Sequence, residues 1–212
     1  MDNTAQDCAK ILNISPQQQQ QLQDYVDLLR QWQPRLNLVS HNTLPDIWTR
    51  HILDSGQIAR LLPITSTTLI LDIGSGAGFP GMVLGVITDA CLVLVEADLR
   101  KTIFLQEVAR VLFPKQHILP TPKVRILNQR IEKTSFLAAD IITARAVASL
   151  DQLFEWAIPQ WHKNSRAIFF KGKNFQHEVD VAMKRWLFDY ELVQSVASDD
   201  SKILLINFLK RK

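Results

Sequence analysis

The stretch Leu69–Gly85, LILDIGSGAGFPGMVLG, constrains the fold more than any other part of the chain. Leu69-Ile70-Leu71 is an apolar run that reads as a buried strand, and it ends at an acid, Asp72. Gly74-Ser75-Gly76-Ala77-Gly78 is too glycine-rich for a helix or a strand. Pro80 follows, where a helix tolerates a missing N–H. Strand, glycine turn and helix in succession have the shape of a nucleotide-cofactor site, because glycine lets the backbone approach a ligand where a Cβ would collide. An ordinary tight turn is the plainer alternative. A dinucleotide fingerprint spaces its glycines G-x-G-x-x-G. Here the spacing is G-x-G-x-G, and Phe79 stands where the third glycine would fall. The next apolar run, Cys91–Val95, ends in Glu96, about twenty positions after the turn, where a carboxylate can accept from both ribose hydroxyls of an adenosine. NAD enzymes and S-adenosyl-L-methionine enzymes share that acid. The tighter spacing, with Asp72 just ahead of it, favours adenosylmethionine, which has no pyrophosphate to place at a helix N-terminus.

The rest of the chain alternates around this unit. Ser15-Pro16-Gln17-Gln18 reads as a capped helix start, with Leu22, Val26, Leu29 and Trp32 as its apolar stripe. The run Gln17–Gln21 is expected to cover the wet face, and Pro34 ends the helix. A second helical pattern, Pro45–Leu53, brings Arg50 and His51 within four and three positions of Asp54, which reads as ion pairing on a helix surface. Strands are expected over Thr68–Ile73, Cys91–Glu96, Val124–Asn128, Asp140–Thr143 and Ala167–Phe170. Helices are expected from Pro80, over Leu99–Leu112 with Ile103, Phe104, Val108 and Val111 inward, from Ser149 to Ile158, and over Phe175–Leu187. Between them Pro114–Pro122 reads as a loop. Tyr190–Val196 and Ile203–Leu209 are expected to pair as an antiparallel hairpin at the sheet edge. Alternating strands and helices imply an α/β fold, a mostly parallel sheet with helices on both faces. A helical extension over residues 1–66 would precede an α/β domain over 67–212. Ligands of such sheets sit beyond the carboxyl ends of the strands, and Gly74–Phe79, Glu96, Arg145 and Lys171 all fall there.

Composition narrows the function classes. With 212 residues, 47% of them apolar, the chain suffices for one α/β domain and a small extension. No apolar run approaches the roughly 20 residues of a membrane span, and the first residues, MDNTAQDCAK, carry no secretory signal. Cys8, in a polar leader, and Cys91, in a strand, give no disulfide framework and no zinc site, which fits a reducing cytoplasm; no metal is expected. A net charge of +3 is compatible with a nucleic-acid partner. Arg30, Arg35, Arg50 and Arg60 make the extension basic. Lys171 and Lys173 flank Gly172, where phosphate contact and plain solvation fit equally. Three readings stand at this point: an RNA methyltransferase, a small-molecule methyltransferase or NAD oxidoreductase on the same fold, and a non-catalytic RNA-binding protein.

The segments NLVSHNTLPDIWTRHILDS, LDIGSGAGFPG, LVEADLRKTIFLQEV, ITARAVASL and FFKGK occur in the order found in the ribosomal RNA small subunit methyltransferase G family, also called glucose-inhibited division protein B. The resemblance runs from about Leu22 to Lys173. It implies the class I, Rossmann-like fold of S-adenosylmethionine-dependent methyltransferases. It also implies methylation of nitrogen-7 of guanine 527 in the 530 loop of 16S ribosomal RNA. The partner would be 16S rRNA or the small ribosomal subunit, and the protein a cytoplasmic monomer without membrane contact. Cofactor contacts carry over to Gly74, Phe79, Ile131, Glu132 and Arg145, beside Asp72, Gly76, Gly78 and Glu96 of the turn-and-acid pattern. Arg145 is placed to hold the cofactor carboxylate or an RNA phosphate and is the expected catalytic residue. Arg30, Arg35, Arg50, His51, Lys171 and Lys173 are the expected RNA contacts. One departure is Ala144, where the family usually has serine. Nitrogen-7 of guanine has a free lone pair and no proton, so its methylation needs no general base. In keeping with that, no Asn/Asp-Pro-Pro-aromatic segment follows the fourth strand and no loop cysteine offers a nucleophile.

Overall fold

The structure is a computed structural model that describes residues 3–114 and 122–212. Among these residues seven strands form one sheet: β1 (Leu69–Ile73), β2 (Cys91–Glu96), β3 (Val124–Asn128), β4 (Ile141–Arg145), β5 (Arg166–Lys171), β6 (Trp186–Gln194) and β7 (Lys202–Arg211). Their order is β3-β2-β1-β4-β5-β7-β6. The first five run parallel, and β7 lies antiparallel between β5 and β6. The edge hairpin is where the sequence puts it. The order reverses between β1 and β4, which opens a crevice beyond their carboxyl ends.

The helices are α1 (Asn3–Leu12), α2 (Pro16–Trp32), α3 (Asp54–Gly56), α4 (Gly81–Ile87), α5 (Leu99–Leu112), α6 (Leu150–Ala157) and α7 (Phe175–Ala182). The central strands are apolar on both faces, as a parallel sheet between two helical layers requires. On one face Ile70, Leu92, Leu94 and Ile168 pack with Leu22, Leu29, Met82, Phe104 and Val108. On the other, Leu71, Val93, Ile142 and Phe169 pack with Phe154, Ala157 and Val179. The first of these cores includes Ala5, Cys8, Leu12, Ile52 and Ile58, so the N-terminal helices share it with the sheet.

Several expectations need correction. Cys8 is not part of a polar leader: Ala5, Cys8, Ala9 and Leu12 form the buried stripe of α1. The start of α2 is as expected, with Ser15 and Gln18 exchanging hydrogen bonds of 2.9 and 3.2 Å. The glutamine run does more than face water. Gln18 donates to the Val86 carbonyl (3.0 Å) and Gln21 to that of Leu112 (2.9 Å). These carbonyls end α4 and α5 and lack partners within their own helices. In α5 Phe104 and Val108 point inward, but Ile103 is exposed; Leu105, Ala109 and Leu112 complete the buried face. Helix α7 stops at Ala182 rather than Leu187, because Trp186 already begins β6 and packs edge-on against Phe154, ring centroids 5.8 Å apart. Most of the loop expected over 114–122 lies outside the described residues.

Candidate active site

A cavity of about 550 Å³ opens beyond the carboxyl ends of β1, β2 and β4. Of the residues expected to hold a cofactor, Gly74, Gly76, Phe79, Glu96, Ile131, Glu132 and Arg145 line it, and Asp72 and Gly78 do not. The three turn glycines all have positive φ, +65°, +56° and +98°. A Cβ on Gly74 would lie 2.4 Å from the Val147 side chain, and one on Gly78 2.7 Å from the Tyr25 hydroxyl. Packing therefore demands those two glycines. A Cβ on Gly76 would meet only the Gly74 carbonyl, at 3.8 Å, and the residue lines the cavity. Its bare backbone leaves room for a ligand. Tyr25, buried in α2, donates its hydroxyl to the Ala77 carbonyl and stacks at 5.3 Å on Phe79, so the helical extension holds the turn in shape.

Glu96 clamps the turn from β2. Its Oε2 accepts from the Gly76 N–H and its Oε1 from the Asp98 N–H, both at 2.8 Å. An ionised carboxylate offers about four acceptor positions, so each oxygen keeps one for a ribose hydroxyl. Across the cavity Glu132 accepts from the Trp156 indole at 3.0 Å, and the buried Ile131 beside it supplies an apolar floor.

Asp72 lies beneath the turn. Strand alternation turns it toward the α2 and α4 layer, and its register partner Thr143 donates to its Oδ1 at 2.7 Å. Its Oδ2 has no hydrogen-bond partner among the described residues. Full burial, partly offset by the Thr143 bond, raises its pKa from 3.8 to about 6.

Arg145 is the hub of the site. Its Nη2 donates to the Arg50 carbonyl (2.7 Å) and to His51 Nδ1 (3.1 Å), and lies 3.6 Å from Asp54 Oδ2. Its Nη1 reaches Ser55 Oγ at 3.4 Å. The guanidinium sits between the Phe79 and Phe170 rings, 5.9 and 5.7 Å from their centroids. Four of its partners, Arg50, His51, Asp54 and Ser55, come from one helical stretch. The helix expected there is π-helical over Trp48–Leu53 before it tightens into α3. The wider i→i+5 turn undoes the expected spacing. Asp54 pairs with Arg145 instead of Arg50, and His51 faces Phe79, ring centroids 4.9 Å apart.

A guanidinium can only donate, so His51 Nδ1 accepts from Arg145. The ring proton is then on Nε2 and is donated to Thr43 Oγ1 at 2.8 Å; the Thr43 hydroxyl in turn donates to the Ser40 carbonyl at 2.9 Å. Burial, with the Arg145 and Arg50 charges adding to it, lowers the His51 pKa from 6.5 to about 3. The folded state refuses a proton that the unfolded chain accepts. Stability should therefore fall as pH drops from about 6.5 toward 3, and His51→Asn should flatten that decline. Urea titrations of both proteins at pH 7 and 4.5 read the difference; parallel declines would mean that His51 is protonated in the fold.

The remaining basic candidates divide. Lys171 is buried and spends its ammonium on Glu178 and the Ala148 carbonyl, at 2.7 and 2.8 Å, joining β5 to α7 and the β4–α6 loop. Lys173 is exposed and pairs with Asp200 at 3.1 Å. Arg50 lines a second cleft that also takes in Arg145, Lys171 and Lys173. Arg30 and Arg35 are exposed and line neither cleft; Arg35 borders a separate groove with Trp32 and Arg100. Arg60 donates to the Ile11 carbonyl and ties down α1. Sequence reasoning missed Tyr25, although it falls on the α2 stripe between Leu22 and Leu29. It also missed Thr43, Lys101, Val147 and Trp156, which line the cavity.

The model of the rRNA small subunit methyltransferase G family matches residues 18–206. Ribosomal RNA small subunit methyltransferase G of Paramagnetospirillum magneticum is 40% identical over 198 residues, covering 93% of this chain and 92% of the relative. That of Gluconobacter oxydans is 37% identical over 198 residues, covering 93% and 97%. Among solved structures, the TehB-like SAM-dependent methyltransferase from Corynebacterium glutamicum aligns with a TM-score of 0.53 at 14% identity, over 73% of this chain and 86% of that one. A variant of MtNAS in complex with S-adenosylmethionine aligns at 0.60 and 12% identity, over 95% and 83%. The seven-stranded sheet is thus the class I methyltransferase fold. Since the family match runs from α2 into β7 and takes in every residue around both clefts, the chain belongs to the rRNA small subunit methyltransferase G family.

Proposed function

We propose that the protein transfers a methyl group from S-adenosyl-L-methionine to nitrogen-7 of a guanine in the 530 loop of 16S rRNA. The observation that carries this reading is the pairing of two features on one cavity: the unfilled backbone at Gly76 and the spare acceptor positions of Glu96 beside it. Together they suit an adenosine whose ribose lies on β2 and whose chain passes over the turn. Ile131 and Glu132 would flank the adenine, and Phe79 and Arg145 the amino-acid end. When bound, the cofactor supplies a methyl on a sulfonium sulfur; transfer to nitrogen-7 forms the new C–N bond as the C–S bond breaks, its electron pair staying on sulfur.

The residues present match such a transfer. The nucleophile carries no proton, so alignment is the main task, and no side chain around Arg145 is poised as a base: His51 holds its Nδ1 lone pair on the guanidinium. Phe79 and Phe170 confine that guanidinium from two sides. The ring gains positive charge on methylation, and carboxylates bordering the second cleft, Asp54 and Asp200, lie where they offset it. No helix among the described residues is long and apolar enough to cross a membrane. We place the protein in the cytoplasm as a monomer on 16S rRNA or the small subunit, with residues 1–66 covering a catalytic domain over 67–212.

Gly76→Val tests the cofactor assignment. Valine brings a branched side chain into the open space and strains a position at φ +56°. Affinity for S-adenosylmethionine, read by calorimetry, should fall at least about a hundredfold while the melting curve stays cooperative. A folded variant that binds as tightly as wild type removes this turn from the cofactor site.

A further inference from the structure

The second cleft, a hollow of about 360 Å³, shares Arg145 and Ala146 with the cofactor cavity. These two residues, at the end of β4 and the start of the following loop, face both spaces. Its outer wall is the loop of the β6–β7 hairpin, including Ser198 and Asp200. That loop is fastened to Asp54 of α3 and to Gln57 just after it. Ser195 Oγ donates to Asp54 Oδ1 at 2.6 Å, Gln57 Nε2 donates to Ser195 Oγ at 3.1 Å, and the Val196 N–H donates to Gln57 Oε1 at 3.0 Å. The cleft is therefore a formed site of small-ligand size.

Its polar groups are unevenly committed. Asp54 is already taken by Ser195, Gln57 and Arg145. Arg145 has five N–H donors, of which three are engaged, leaving Nε–H and one hydrogen on Nη1. Among the described residues the Asp200 carboxylate is held by Lys173 alone, in a largely exposed pair, and such pairs exchange at little cost. An RNA phosphate that draws Lys173 away frees the carboxylate.

We propose that this cleft receives the target guanine, with Asp200 accepting from its N1–H and N2 amino group and Arg145 donating to O6. The assignment rests on the methyl-transfer reading above and adds to it the means of base selection. Contact at O6 leaves the nitrogen-7 lone pair facing the cofactor cavity. Adenine is rejected twice: its 6-amino group would meet the Arg145 donors, and its N1 lone pair the Asp200 carboxylate. The base must leave its stack to enter, as targets of base-modifying enzymes do.

The experiment is single-turnover methyl transfer at saturating labelled S-adenosylmethionine. Its substrates are unmethylated 16S rRNA, naked and in reconstituted small subunits, with guanosine or inosine at the target position. Ser198→Trp fills the cleft from a surface loop. It should fold, bind cofactor within about twofold of wild type, and transfer at least about a hundredfold more slowly. Inosine lacks only the N2 amino group. Wild type should favour guanosine over inosine by at least about tenfold, the scale of one charge-assisted hydrogen bond, and Asp200→Ala should treat both within about twofold. Transfer at wild-type rate by Ser198→Trp overturns the cleft assignment, and undiminished selectivity in Asp200→Ala overturns the role of Asp200. A wild type that binds cofactor but labels neither form of the RNA overturns the methyl-transfer reading itself.

Discussion

Arg145→Ala should lower methyl transfer at least about a hundredfold and the melting temperature by about 10 °C. Both effects have one origin. The guanidinium holds the π-helical stretch through the Arg50 carbonyl and His51 Nδ1, and it faces Asp54, whose side chain is only 6% exposed. Removing one partner of a buried ion pair costs about 3–5 kcal/mol, because the other is left uncompensated. Ser195 and Gln57 also bond to Asp54, which points to the lower end of that range. Loss of the side chain also removes the one charged group that faces both clefts among the described residues, and with it the contact that would set the base against the methyl. Arg145→Lys separates the roles. It keeps a charge near Asp54, but one ammonium cannot replace a planar fork that spans the Arg50 carbonyl, His51 and Ser55. The melt should recover most of its loss, while transfer stays down by roughly tenfold, about 1.4 kcal/mol of alignment. Single-turnover rates and thermal melts on the two variants read both quantities. Wild-type turnover in Arg145→Lys would make the residue structural only.

Asp72→Asn should gain about 2 kcal/mol of stability relative to wild type between pH 4 and pH 7. Burial raises the folded carboxyl to about 6 from the ordinary aspartate value of 3.8. As pH rises through this window the unfolded chain loses its proton first. Ionisation therefore favours unfolding from about pH 4 to pH 6, and the penalty persists above that. Asparagine removes the charge while its Oδ1 still accepts from Thr143. Urea denaturation of both proteins at pH 4 and pH 7.5 reads the change, and His51, which titrates with the opposite sign, cancels in the comparison. A difference in stability that does not vary with pH would show that the buried carboxyl is not the group responsible.

The sequence made the sheet legible where local pattern and tertiary role coincide. The boundaries of β2, β3 and α5 follow from apolar runs and the Asp98 cap, which accepts from the Arg100 and Lys101 N–H groups. The glycine turn was legible because its geometry needs residues without a Cβ. Helix α1 was not, since its buried stripe is built from small residues, Ala5, Cys8 and Ala9, in an otherwise polar stretch that reads as a leader. The π-helical stretch was legible as a motif but not as a geometry. Arg50, His51 and Asp54 read as neighbours on one α-helical face, whereas their binding partner is Arg145 on a distant strand. Arg145 itself reads as an exposed strand end, yet its side chain is only 17% exposed. Lys171 reads as a surface cation, yet it is buried against Glu178. In each case a contact across long sequence separation decides the environment, and no local pattern encodes it.

Mapping the transferred methyl group tests the proposed reaction at its outcome. Wild-type protein, labelled S-adenosylmethionine and unmethylated 16S rRNA, naked or in small subunits, are brought to single turnover, and the labelled base is identified by nuclease digestion and mass spectrometry. One product is expected, 7-methylguanosine within the 530 loop, and it should be lost in Gly76→Val. Label on an exocyclic amine, on a ribose or on a base outside that loop would contradict it, as would bound cofactor with no label in either form of the RNA.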